Sequence, residues 1–90
     1  MISVIIIGAG NVASHFYKTF KTAETVSVTQ WYNRRLNAIE TYQNEVEITD
    51  DIKALKPADV YLIAVKDDAI SHLSSQLPFE DRLVVHTSGS

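Results

Sequence analysis

The stretch IIIGAGNVASHF, residues 5–16, joins three isoleucines to Gly8-Ala9-Gly10 and runs on directly into apolar residues at helical spacing. Ile2 to Ile7 is a short, nearly continuous β-branched run, the pattern of a strand buried on both faces of a parallel sheet. From Asn11 to about Thr22, Val12, Phe16 and Phe20 recur at four-residue intervals and predict an amphipathic helix covering one face of that sheet. Between the two, Gly8, Gly10 and Ala13 fit the pattern G-x-G-x-x-A. The first glycine permits a tight strand-to-helix turn, the second leaves bare backbone for a pyrophosphate, and a small third residue lets the helix pack close to the sheet. The backbone of Gly8, Ala9, Gly10, Asn11 and Val12 is therefore the expected cradle of a dinucleotide pyrophosphate, with the positive end of the helix dipole behind it.

The rest of the chain repeats this alternation. Val26 to Tyr32 (VSVTQWY) reads as a second strand, and Asn33-Arg34-Arg35 as a loop into a helix carrying Leu36, Ile39 and Tyr42. Val46 to Ile48 is a short third strand. Thr49, followed by Asp50 and Asp51, reads as the capped start of a short helix that Pro57 closes. Val60 to Val65 (VYLIAV) is the most apolar strand; Asp67 and Asp68 then open a helix with Ile70, Leu73 and Leu77 on its buried stripe, ending at Pro78. Leu83 to Val85 is a fifth strand, followed by a loop from His86 to Ser90. Strands alternating with helical segments predict an α/β fold: one domain over residues 1–90, a doubly wound parallel sheet of about five strands in the order 3-2-1-4-5. The small-residue ending just past a strand suggests the N-terminal part of a longer protein.

Two further stretches bear on the ligand. An acid about 20 residues past the glycine motif would hold the ribose hydroxyls of NAD. Here the chain reads Trp31-Tyr32-Asn33-Arg34-Arg35, and the next acid is Glu40. Arginine at this place can pair with the 2′-phosphate of NADP or lie flat on adenine, so NADP is the expected cofactor, with Asn33, Arg34 and Arg35 at its adenosine end. Ligands of such sheets lie beyond the carboxyl ends of the strands at the switch point between the first and fourth, so Val65 and Lys66 should border the cofactor. Asp67 and Asp68 are explained by helix capping alone. His86, Thr87 and Ser88 would fall on the same edge near the nicotinamide; His86 and Ser88 are the candidates for a catalytic role, against a plain polar loop. His15 and His72 read as surface residues.

Composition limits the alternatives. A chain of 90 residues, 46% apolar and 21% charged, with a net charge of −3, is that of an ordinary globular domain. Its eight Lys and Arg are scattered apart from Arg34-Arg35, so neither nucleic acid nor an anionic membrane is an expected partner. The chain has no cysteine, which removes disulfides and thiolate metal sites, and no metal is expected. With no apolar run near the roughly 18 residues of a membrane span and no signal-like start, the expected compartment is the cytoplasm.

The segments IIGAGNVASH, AVKDDAI and VVHTSGS together span the chain. Through them it resembles the N-terminal half of a group of Rossmann-like oxidoreductases that carry a helical C-terminal domain of unknown function, related more distantly to pyrroline-5-carboxylate reductase and the deazaflavin-dependent NADP oxidoreductases. The resemblance implies an NADP-binding module whose substrate pocket is completed by a second domain absent from this chain, in a parent compatible with a homodimer. The expected function is that of the cofactor domain of an oxidoreductase moving a hydride to or from a small metabolite with a C=O or C=N bond. The alternatives are a nucleotide-responsive binding module without turnover and, disfavoured by the missing acid, an adenosyl-methionine methyltransferase.

Overall fold

A computed structural model describes residues 1–65 and 83–88. Its regular elements are β1 (Ile2–Ile7), α1 (Asn11–Lys21), β2 (Val26–Tyr32), β3 (Glu47–Thr49), β4 (Val60–Val65) and β5 (Leu83–Ser88). All strand pairs are parallel, and the sheet order is β3-β2-β1-β4-β5, as expected from the sequence. The helix expected from Asp67 to Leu77 lies outside the described residues.

Ile5, Ile6 and Ile7 are wholly buried because both faces of β1 are covered. Each such side chain contributes about 1.5–3 kcal/mol through burial. On one face, Val4 and Ile6 pack with Ala13 and Tyr17 of α1, Trp31, and Ile39 from the segment after β2. On the other, Ile5 and Ile7 pack with Tyr32, Tyr61, and Leu55 and Ala58 from the segment before β4. The covering chain thus changes face between β3 and β4. That change puts the topological switch point between β1 and β4.

The connections are shorter than the sequence suggests. Leu36–Ala38 and Glu40–Tyr42 are single 3-10 turns in place of one helix, although Ile39 and Tyr42 still reach the core. Neither turn has a side-chain cap, and only Ile39 is fully buried, so little packing rewards a longer helix. Thr49 closes β3, and the capping residue is Asp51, whose carboxylate accepts from the Lys53 N–H at 2.9 Å; this turn is again 3-10, Ile52–Ala54. The fifth strand extends beyond Val85: His86, Thr87 and Ser88 pair with Ile63, Ala64 and Val65 and are strand, not loop.

A bulge interrupts β2. Val4 pairs with Val28 but Ile5 pairs with Gln30, so Thr29 is an extra residue on β2. Val26 and Val28 lie against the α1 side of the core, and the bulge keeps Trp31, three residues after Val28, on that same side. Gln30 faces the other way and is fully buried, yet its amide is satisfied: it donates to Glu47 Oε2 at 3.0 Å and to the Ala54 carbonyl at 3.2 Å, and accepts from the Lys56 N–H at 2.9 Å. This one side chain ties β2, β3 and the turn before β4 together.

Candidate functional site

The parallel register brings the carboxyl ends of the strands to one edge. Thr49, Tyr32, Ile7, Ile63 and His86 form a continuous rung across all five strands. The residues that follow are Gly8 after β1, Asn33 after β2, and Ala64-Val65 beside Thr87-Ser88 at the ends of β4 and β5. The residues singled out in the glycine motif, the arginine loop and the two late strands thus meet along one edge. Lys66 lies outside the described residues, as do Asp67, Asp68 and His72.

Gly8 and Gly10 both have positive φ, 119° and 100°. Gly10 caps α1 with ψ −170°, a region essentially closed to residues with a Cβ. Gly8 is buried, and both its peptide groups are engaged by β2: its N–H donates to the Tyr32 carbonyl at 2.8 Å, and its carbonyl accepts from the Trp31 indole N–H at 2.6 Å. Ala13 is fully buried, which allows the close approach of α1 to the sheet. The first turn of α1 has no side-chain cap and no acid, and the first intrahelical bond visible there is Ser14 N–H to the Gly10 carbonyl at 3.0 Å. The N–H groups of Asn11 and Val12 precede that bond and have no intrahelical acceptor. Gly10 and Asn11 are exposed. Bare backbone, unspent N–H groups and the helix dipole are the donor set that suits a pyrophosphate.

Beyond β2, the Asn33 N–H extends the ladder to the Thr49 carbonyl at 3.1 Å, and the Asn33 amide donates to the Arg35 carbonyl at 2.8 Å. That local turn leaves Arg34 and Arg35 exposed, and among the described residues neither guanidinium has an ion-pair partner. His15 is exposed on α1, as expected of a surface residue.

The sequence reading missed the aromatic cluster under this edge. Trp31 stacks on Tyr42 at 4.7 Å between ring centroids and lies 5.1 Å from Tyr17, which meets Tyr42 edge-on at 5.1 Å. Burial pushes the Tyr17 phenol above its ordinary pKa, and Tyr42 adds to the shift. The available signal was the spacing Val26, Val28, Trp31, which breaks strict alternation and marks the bulge. An apolar cavity of about 310 Å³, bordered by Ile2, Phe16, Phe20, Val26 and Val60, lies at the opposite, amino ends of the strands and has no part in this edge.

Residues 3–89 match the model of the family "NADP oxidoreductase coenzyme F420-dependent". The chain belongs to that family. A candidate NADP oxidoreductase from Bacteroides fragilis superposes with a TM-score of 0.80 at 31% identity, over 97% of this chain and 36% of that one. An NAD-binding protein from Listeria innocua superposes with a TM-score of 0.74 over 94% of this chain and 26% of that one; at 19% identity it shows the fold alone. The chain spans about a third of the length of the first and a quarter of the second. The comparison with curated proteins gives no match. Among the described residues, no helix is long and apolar enough to cross a membrane.

Proposed function

We propose that this chain is the NADP(H)-binding domain of an oxidoreductase that moves a hydride to or from a small metabolite with a C=O or C=N bond. The observation that carries the reading is the glycine junction: an uncapped, acid-free helix start opening on the same edge as two exposed arginines that have no ion-pair partner among the described residues. The backbone of Gly8, Ala9, Gly10, Asn11 and Val12 would hold the pyrophosphate, and Arg34 and Arg35 the 2′-phosphate or the adenine face. Val65, Lys66 and the end of β5 would border the nicotinamide. When bound, the nicotinamide supplies the hydride chemistry; the protein orients it and keeps water away.

His86 and Ser88 would then orient the carboxamide or polarise the substrate, and being in a strand holds their backbone more firmly than a loop would. A second domain is part of the proposal. The edge of one sheet is a single wall, the matched segment is 36% of the Bacteroides chain, and hydride transfer needs the acceptor held close to the nicotinamide.

Calorimetric titration with NADP(H), NAD(H) and coenzyme F420 tests this reading. Tightest binding of NADP(H) supports it; failure of both dinucleotides to bind, or preference for NAD(H) at low salt, overturns it. NADPH consumption by a chain carrying the second domain would then separate an enzyme from a binding module.

A further inference from the structure

We infer that Trp31 is a positioning residue for the phosphate cradle, acting through the Gly8 carbonyl and never touching the ligand itself. The inference rests on the dinucleotide reading above. Trp31 is wholly buried, and its indole N–H donates to the Gly8 carbonyl at 2.6 Å. The peptide bonds here are all trans, so the carbonyl of Gly8 and the N–H of Ala9 point in opposite directions across one rigid plane. Holding that carbonyl toward the indole turns the Ala9 N–H away from the core. With φ of 119° at Gly8 and no Cβ there, this hydrogen bond restrains the rotation of a plane that glycine leaves free to turn.

Three features show that the indole is placed for this contact. The Thr29 bulge brings Trp31 to the α1 side of the sheet; with regular alternation after Val28 it would face the opposite side. Tyr42 stacks on the indole ring and Tyr17 packs against both, so the indole is held within a three-ring cluster. The Tyr32 carbonyl, one residue on, holds the Gly8 N–H, so two successive residues of β2 set both sides of Gly8. The consequence is a cradle whose Ala9 N–H is oriented before any ligand arrives. Losing the indole donor should weaken recognition of the pyrophosphate specifically.

Trp31 is the single tryptophan in the chain, so growth of a tryptophan auxotroph on β-(3-benzothienyl)alanine replaces its N–H by sulfur with the ring shape retained. The probes are NADP⁺ and adenosine 2′-phosphate, which shares the adenosine end but has no pyrophosphate. The expected result is an NADP⁺ Kd raised about tenfold, the loss corresponding to one well-placed hydrogen bond, with the adenosine 2′-phosphate Kd unchanged. Trp31→Phe, which keeps a ring beside Tyr17 and Tyr42 but has no donor, should show the same split. Equal losses for both probes, unfolding of both altered chains, or an unchanged NADP⁺ Kd would each overturn the assignment of Trp31. Failure of the unmodified chain to bind NADP⁺ would instead overturn the dinucleotide reading, and this assignment with it.

Discussion

Replacing Gly10 by alanine adds one methyl group at the most constrained point of the site. Gly10 sits at φ 100° and ψ −170°, where a Cβ collides with its own backbone. Residues held in such regions cost of the order of 1–3 kcal/mol, and the same Cβ would stand in the bare space offered to the phosphates. Gly10 is exposed and contributes no side chain to the core, so the variant should fold, with its cost confined to the junction. For a domain of this size each kcal/mol lowers Tm by about 4–8 °C, so the Gly10→Ala chain should melt at least several degrees lower. Its NADP(H) affinity should fall at least as far, because the helix N–H groups must be approached past the new methyl. Thermal unfolding by circular dichroism and calorimetric titration measure the two effects. A chain that melts as the wild type does and binds NADP(H) equally well would refute both the strain argument and the placement of the pyrophosphate.

Other consequences can be tested in parallel. Changing Arg34 and Arg35 together to alanine should weaken NADP(H) binding by about 1.5–3 kcal/mol for each charge-assisted bond lost and leave NAD(H) nearly untouched; equal losses for both dinucleotides would argue against the 2′-phosphate contact. Because the folded chain holds the Tyr17 proton more tightly than the unfolded chain does, that contribution to stability is complete below the ordinary tyrosine pKa of ~10 and declines as pH rises above it. Urea denaturation between about pH 9 and pH 11 should show a steeper loss for the wild type than for Tyr17→Phe, and parallel profiles would contradict the shift. Gln30→Leu should destabilise the fold by about 1–3 kcal/mol through the stranded Lys56 N–H and Ala54 carbonyl, while leaving NADP(H) affinity intact; a neutral change would show that the amide network adds nothing.

The sequence displayed its sheet more clearly than its connections. Ile5 to Ile7 are β-branched and Tyr61 to Ala64 apolar, and all of them are buried, so burial and pattern agree there, and strand order followed from the alternation of elements. The segment from Leu36 to Tyr42 has apolar residues at helical spacing, but its only deeply buried anchor is Ile39, and it closes into two 3-10 turns. The stripe Val12, Phe16 and Phe20 marked α1 correctly but not its deepest face, which is Ala13 and Tyr17. Close packing at Ala13 rotates the helix toward its smallest residue and buries Tyr17 one turn later. On the site, two glycines, two arginines and the ends of two late strands were visible as residues, and parallel register brings them to one edge. The Trp31 contact was hidden because it depends on a one-residue bulge, which shifts every later side chain of β2 to the opposite face.

The central claim is that a dinucleotide pyrophosphate lies on the backbone of residues 8–12. An amide chemical-shift titration of the isotope-labelled chain with NADP⁺ measures this directly, residue by residue. The account predicts saturable shifts largest at Gly8, Ala9, Gly10, Asn11 and Val12, with a second group at Asn33, Arg34 and Arg35. Shifts centred on Ile2, Val26 and Val60 at the opposite ends of the strands, or none that saturate, would contradict it.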